Sequence, residues 1–264
     1  MEGHIMPADT NLSRHYFQIG VSQLIRLEWL RYTANLVLAN YDKKAIKESL
    51  EELLKDKVSK GGNAERGNRK KIITILMKVW VNPLPDLSNF RREGLELLKN
   101  QPFKYQLIIH WGMMLAVYPF WGYVASQVGR LLRLQDSFSV SQLQRRLREA
   151  YGERQTVFQA ARRVLRSYVD WGVLEKTEML GIYRQGEKLI LKDEAVAAWL
   201  LEAQLRSQPD GKSTLSSLTS SPCLFPIVQF PSLGIGIEKY WDRIDTVSVD
   251  MNDYLLMLKT SRHS

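Results

Sequence analysis

Apolar positions along this chain recur mostly at three- and four-residue steps, the spacing of one face of an α-helix. Between Asn11 and Asn40, the positions Leu24, Leu27, Leu30 and Leu36, with Ile25, Trp29 and Tyr32, predict a helix broken near Gly20. Asp42 has the short acceptor side chain that suits an N-cap, and Ile46, Leu50, Leu53 and Leu54 form the stripe of the helix expected after it. Ile72 to Val81 reads as a helix ending before Pro83, and Leu87 to Leu98 as a short one stopped by Asn100-Gln101-Pro102. Leu107 to Val128 then runs for 22 residues without Asp, Glu, Lys or Arg, long enough to cross a bilayer. Pro119 in its middle, two glycines and centrally placed aromatics predict instead two buried helices, Leu107–Tyr118 and Pro119–Leu134. Membrane insertion is therefore not expected.

The stretch Ser139 to Leu191 carries the densest pattern. Ser139 with Gln142, and again Thr156 with Gln159, have the spacing of capping boxes, in which each side chain serves the other's free backbone N–H. Val140, Leu143, Leu147 and Ala150 mark one helix, with Gly152 as its stop. Val157, Ala160, Ala161, Val164, Leu165, Tyr168 and Val169 mark a second, closed by Gly172. The segment VLEKTEMLGIYRQGEKLIL alternates as two strands, with Gln185-Gly186 as the expected turn and Arg184 and Lys188 flanking its tip. Two helices at a short turn followed by a hairpin make a winged helix-turn-helix. Its second helix shows an outer face of Gln159, Arg162, Arg163 and Arg166, with Arg154 and Gln155 just ahead and Asp170 as its only acid. Arginine and glutamine form paired hydrogen bonds to guanine and adenine edges, and a helix fits the major groove. The expectation is that Thr156–Asp170 enters a groove of double-stranded DNA. Arg154, Gln155, Gln159 and Arg162 would then face bases, while Arg145, Arg148, Arg163, Arg166, Arg184 and Lys188 neutralise phosphates.

Charge supports a polyanionic partner. Lys and Arg number 37 against 28 Asp and Glu, a net +9 over 264 residues. The run Lys55–Lys71 has seven basic residues, two acids and three glycines. It reads as a loop in which Lys60, Arg66, Arg69, Lys70 and Lys71 contact phosphate or simply meet solvent. It lacks the Gly-Lys-Ser/Thr ending of a Walker loop. Cys223 is the sole cysteine, so no internal disulfide forms, and it is expected as a small buried hydrophobe. His4, His15, His110 and His263 are scattered without acids or cysteine at ligand spacing. No catalytic cluster, metal site or cofactor is expected. The opening MEGHIMPADT has no basic and apolar signal pattern.

The order of elements resembles the BrxA family of bacterial BREX phage-defence systems. The matching stretches are Tyr41–Trp80, QLIIHWGMMLAVYPFWGYVASQVGRLLRL (Gln106–Leu134), SVSQLQRRLREAYG and VLRSYVDWGVLE (Val164–Glu175). The likeness spans about Tyr41 to Glu175 and stops short of the stretch after Pro222. It implies a cytoplasmic, non-enzymatic DNA-binding component of a phage-defence system, working beside other defence proteins. A protein–protein scaffold or a transcriptional regulator is the alternative.

The expected fold is mainly α, with a winged helix-turn-helix and a small β-containing C-terminal extension. Residues 1–10 read as a tag or leader and 11–105 as an N-terminal helical domain. Residues 106–206 would hold the core helix pair and the winged unit, including a helix capped by Asp193. The Ser-, Pro- and Gly-rich 207–222 reads as a linker, and 223–264 as an extension ending in a short helix at Asn252–Leu258.

Overall fold

A computed structural model describes residues 19–58, 63–231, 233, 242–250 and 253–259; for 63–66 it describes the backbone alone. The protein is mainly helical, with a few small sheets. Among the described residues there are ten α-helices.

The first four described helices are α1 (Leu27–Leu38), α2 (Lys43–Leu53), α3 (Asn63–Trp80) and α4 (Ser88–Asn100). The Asp42 side chain accepts from the Ala45 N–H at 2.8 Å and starts α2 as expected. Residues 19–26, predicted as helix, are not helical; residues 11–18 of that prediction, and the 1–10 leader, lie outside the described residues.

The apolar stretch forms α5 (Gln106–Val117) and α6 (Pro119–Leu134), bent by 116° at Tyr118. Proline lacks an N–H and fixes φ, so it serves well in the first turn of α6 and could not continue α5. Every residue of α5 from Leu107 to Val117 is buried. Helices α1, α3, α4, α6 and α9 (Glu194–Arg206) all pack on it, which is why its sequence is apolar on every side. Among the described residues no single helix is long and apolar enough to cross a membrane.

Trp111 of α5 sits at the centre of the core, with ring contacts to Trp121, Tyr168, Trp171 and Phe225. Three of these rings have a partner for their polar edge, whereas the Trp121 indole N–H is buried without one among the described residues. Trp111 Nε1 donates to the Cys223 carbonyl at 3.2 Å, Tyr168 Oη to the Trp121 carbonyl at 2.8 Å, and Trp171 Nε1 to the Ile25 carbonyl at 3.0 Å. One apolar cluster runs from Val21 to Leu224, across the boundary expected at residue 105.

After α6 come β1 (Ser137–Ser139), α7 (Val140–Tyr151), α8 (Gln155–Asp170), β2 (Leu174–Lys176) and β3 (Ile182–Gln185). The strands form an antiparallel sheet in the order β1-β3-β2, pairing Phe138 with Tyr183 and Glu175 with Arg184. The capping box at Ser139 and Gln142 is present. The one expected at Thr156 is not. Helix α8 begins two residues earlier, with Arg154 as its N-cap, and an arginine side chain has no acceptor with which to cap it.

The hairpin turn also differs from expectation. It lies at Thr177–Gly181, where Gly181 has φ +77°. Gln185-Gly186 instead lies at the hairpin's base, with the Gly186 N–H on the Val173 carbonyl. A side chain at Gly186 would strike the Gly172 carbonyl oxygen at 2.2 Å, so this glycine serves close backbone approach.

Beyond β4 (Leu189–Ile190), Asp193 caps α9 through the Val196 N–H at 3.1 Å. The stretch expected as a linker holds β5 (Lys212–Thr214) and α10 (Leu215–Thr219), with Leu215 and Leu218 buried. After β6 (Ile227–Gln229), which pairs with β4, the last described elements are β7 (Ile244–Asp250) and β8 (Asp253–Leu258). The expected final helix is thus a strand, the middle of a β5-β8-β7 sheet. Ile244 and Leu256 pack with Ala198, Leu201 and Leu205 of α9.

Candidate nucleic-acid interface

The Val157, Ala160, Ala161, Val164, Leu165 and Tyr168 stripe of α8 is buried, and this fixes the helix's rotation. Gln155, Gln159, Arg162 and Arg166, at steps of three and four, are therefore exposed on the outer face, with Arg154 and Thr156 at its N-terminal end. Among the described residues, no hydrogen bond or ion pair engages the side chains of Arg154, Gln155, Gln159, Arg162 or Arg166. Arg145, on the outer side of α7, is exposed as well. Behind the ridge Tyr168 and Trp171 reach the Trp111 cluster, so the helix rests on the rigid centre of the molecule.

Other expected residues are committed elsewhere. The Arg163 guanidinium donates to the Ser22 carbonyl, so it anchors chain instead of facing solvent. Arg148 pairs with Glu153 at 3.3 Å and lies 5.9 Å from the centre of the Phe158 ring. Arg184 is bound to Glu175 across the β2–β3 ladder at 2.8 Å. With the turn displaced, neither Arg184 nor Lys188 flanks the hairpin tip. Lys188 follows β3 and lines a shallow cavity with Arg133 and Phe225. The tip carries Met179 and Leu180, the latter fully exposed.

A strap of non-helical chain, residues 19–26, runs between α8 and α3. The Ile25 N–H donates to Ser167 Oγ at 2.9 Å and the Leu27 N–H to Asp170 Oδ2 at 3.1 Å. On the other side Gln23 Nε2 donates to Asn68 Oδ1 at 3.2 Å. Burial raises the Asp170 carboxyl above its ordinary range, against the Leu27 hydrogen bond and the Arg26 guanidinium, which lower it. The expected acid of α8 is thus a brace for the strap.

The second half of the predicted basic loop is helix α3. Lys60 and the Arg66 side chain lie outside the described residues. Arg69 turns back to the Lys55 carbonyl at 3.4 Å, away from any shared site. Lys70 and Lys71 are exposed and come together with Lys78, which sequence reading passed over, around a cleft of about 520 Å³. Its seven-residue spacing from Lys71 was the available signal.

His110 is buried and accepts the Trp80 Nε1–H on Nδ1 at 3.2 Å; burial, and secondarily the charge of Arg31, push its pKa down to about 3. Cys223 is buried in the core, and burial raises its thiol to about 11. Among the described residues no three His, Cys, Asp or Glu side chains gather as metal ligands. Compared with models of protein families, with curated proteins and with solved structures, the chain finds no match.

Proposed function

We propose that the chain binds duplex DNA by inserting α8 into the major groove, with α7, α8 and the β2–β3 hairpin acting as a winged helix-turn-helix. The order helix α6, strand β1, helices α7 and α8, then a hairpin whose β3 pairs with β1, supports this architecture. The observation that carries the reading is the outer face of α8: exposed, basic and free of carboxylate partners among the described residues. A surface of unpaired guanidinium groups attracts phosphate, and Arg and Gln at its centre can pair with base edges. Arg154, Gln155, Gln159 and Arg162 face bases in this reading. Arg145 and Arg166 neutralise phosphates, and Arg148 does so by exchanging Glu153 for one. Arg163 and Arg184 drop out of the contact set.

The test is a gel-shift series on duplex DNA at two salt concentrations. Arg162→Ala is expected to cost about 1–3 kcal/mol on a preferred sequence, whereas Arg166→Ala weakens all duplexes alike and lowers the salt slope by about 1. Wild-type protein that leaves the duplex unshifted, or variants that bind as wild type does, would remove the groove assignment.

The resemblance to the BrxA family adds a place in phage defence and makes the protein a binding component, not a catalyst. Neighbouring genes for a methyltransferase and a phosphatase-like protein would support that placement. A second reading, a protein-docking scaffold, is favoured by one feature, the exposed Met179 and Leu180 at the hairpin tip. It predicts partner capture that survives high salt and fails in Leu180→Asp.

A further inference from the structure

The cleft on the far side of the strap is built from one face of α3. Gly67, Lys71, Ile75 and Lys78 follow one another at helical spacing, Lys70 and Thr74 stand beside them, and Gly20, Ser22 and Tyr118 close the other wall. Its volume, about 520 Å³, is within the roughly 300–1,000 Å³ of small-molecule sites. The strap is fitted to it closely. Gly20 has φ +54°, and a side chain there would meet the Tyr118 ring at 2.8 Å, so only glycine brings the backbone to this wall.

Among the described residues the charge in the cleft has one sign: three lysines line it and no acid does. Six lysines elsewhere have a carboxylate partner: Lys47 with Glu51, Lys55 with Glu52, Lys57 with Glu28, Lys99 with Glu96, Lys104 with Glu187, and Lys259 with Asp245. Among the described residues none of Lys70, Lys71 and Lys78 has a carboxylate partner. Lys78 is half-buried, its ammonium 5.3 Å from the centre of the Tyr118 ring, and desolvation lowers its pKa. An ammonium taken partly out of water with no counter-charge costs free energy that an arriving anion recovers. Ile75 and the Tyr118 ring give the cleft an apolar floor. Thr74 spends its hydroxyl proton on the Lys70 carbonyl at 2.9 Å, so the anion's contacts come from the ammonium groups.

We infer that this cleft binds a phosphate ester of about nucleotide size, its phosphate between Lys70, Lys71 and Lys78 and its flat body against Ile75 and Tyr118. The site is independent of the α8 reading, since it shares no side chain with the exposed ridge.

Isothermal titration of the full chain with AMP, adenosine and inorganic phosphate tests it. AMP is expected to bind saturably, and adenosine at least tenfold more weakly. Lys71→Glu and Lys78→Gln are each expected to lose tenfold or more, while Arg162→Ala binds AMP as wild type does. Lys71 is exposed, so its variant folds normally, and melting curves of both variants check this. Competition by a short duplex separates the sources of phosphate: displaced AMP means that the cleft takes a nucleic-acid phosphodiester, and undisturbed AMP means a free nucleotide. The inference fails if AMP gives no saturable heat, if both lysine variants keep its affinity, or if Arg162→Ala abolishes it.

Discussion

His110 is neutral at the centre of the protein because nothing there can compensate a charge. Its Nδ1 takes the Trp80 N–H, its Nε2 has no partner among the described residues, and its pKa lies near 3 against about 6.5 in an unfolded chain. The unfolded state therefore takes up a proton first as pH falls. This residue's contribution is intact above pH 6.5 and is lost progressively between there and pH 3, at up to about 1.4 kcal/mol per pH unit. Denaturant titrations across that window are expected to show a steeper pH dependence for wild type than for His110→Phe. Equal slopes would mean that the imidazole is protonated in the folded protein. Sequence puts this histidine among LII and WGMML with no ligand nearby, and leaves open whether it faces the core or the surface. It did not show Trp80 as the partner, 30 residues away.

At the scale of elements, the strap decides what Arg163 does. Spacing along α8 puts Arg163 beside the ridge, but its guanidinium meets Ser22, 141 residues earlier in the chain. No periodicity within a helix reports such a contact. Arg163→Ala is expected to lower folding stability by about 1–2 kcal/mol, the scale of a charged hydrogen bond at a part-exposed site. The salt slope of DNA binding should stay unchanged. A slope reduced by about 1 with stability intact would return Arg163 to the phosphate contacts. Elements set by local chemistry were legible in the sequence: the break at Pro119, and the caps at Asp42, Ser139 and Asp193. Those set by distant pairing were not. Asp253–Leu258 suits a helix or a strand, and pairing with both β5 and β7 settles it as a strand. The hairpin turn was misplaced because Gln185-Gly186 looks like a turn, whereas Gly186 is needed for contact with Gly172.

At the scale of the whole molecule, the C-terminal sheet is locked on by charge as well as by apolar contact. Glu202, buried on α9, accepts from Arg206 at 2.7 Å and from Arg243 at 2.8 Å, and Arg243 also binds Glu93 of α4 through two hydrogen bonds. Its hydrogen bonds to the Glu93 carboxylate hold the Arg243 guanidinium firmly protonated, against the cost of burial. Glu202→Ala leaves Arg206 and Arg243 facing one another without their shared acid. A loss of about 3–5 kcal/mol is expected in thermal melts, with earlier proteolytic release of residues 242–259. Wild-type melting behaviour would make the cluster incidental. This network joins residues far apart in the chain and was not visible from local pattern; of the Lys78 cleft, local pattern offered only the lysine spacing along α3.

The strap has one more consequence. Pinned to α8 at Ser167 and Asp170 and to α3 at Asn68, it fixes the separation between the two cationic surfaces. These hydrogen bonds tie the strap to both helices. A polymer that spans both surfaces must itself supply the curvature, so easily bent base steps would be favoured over stiff ones even at positions that no side chain touches.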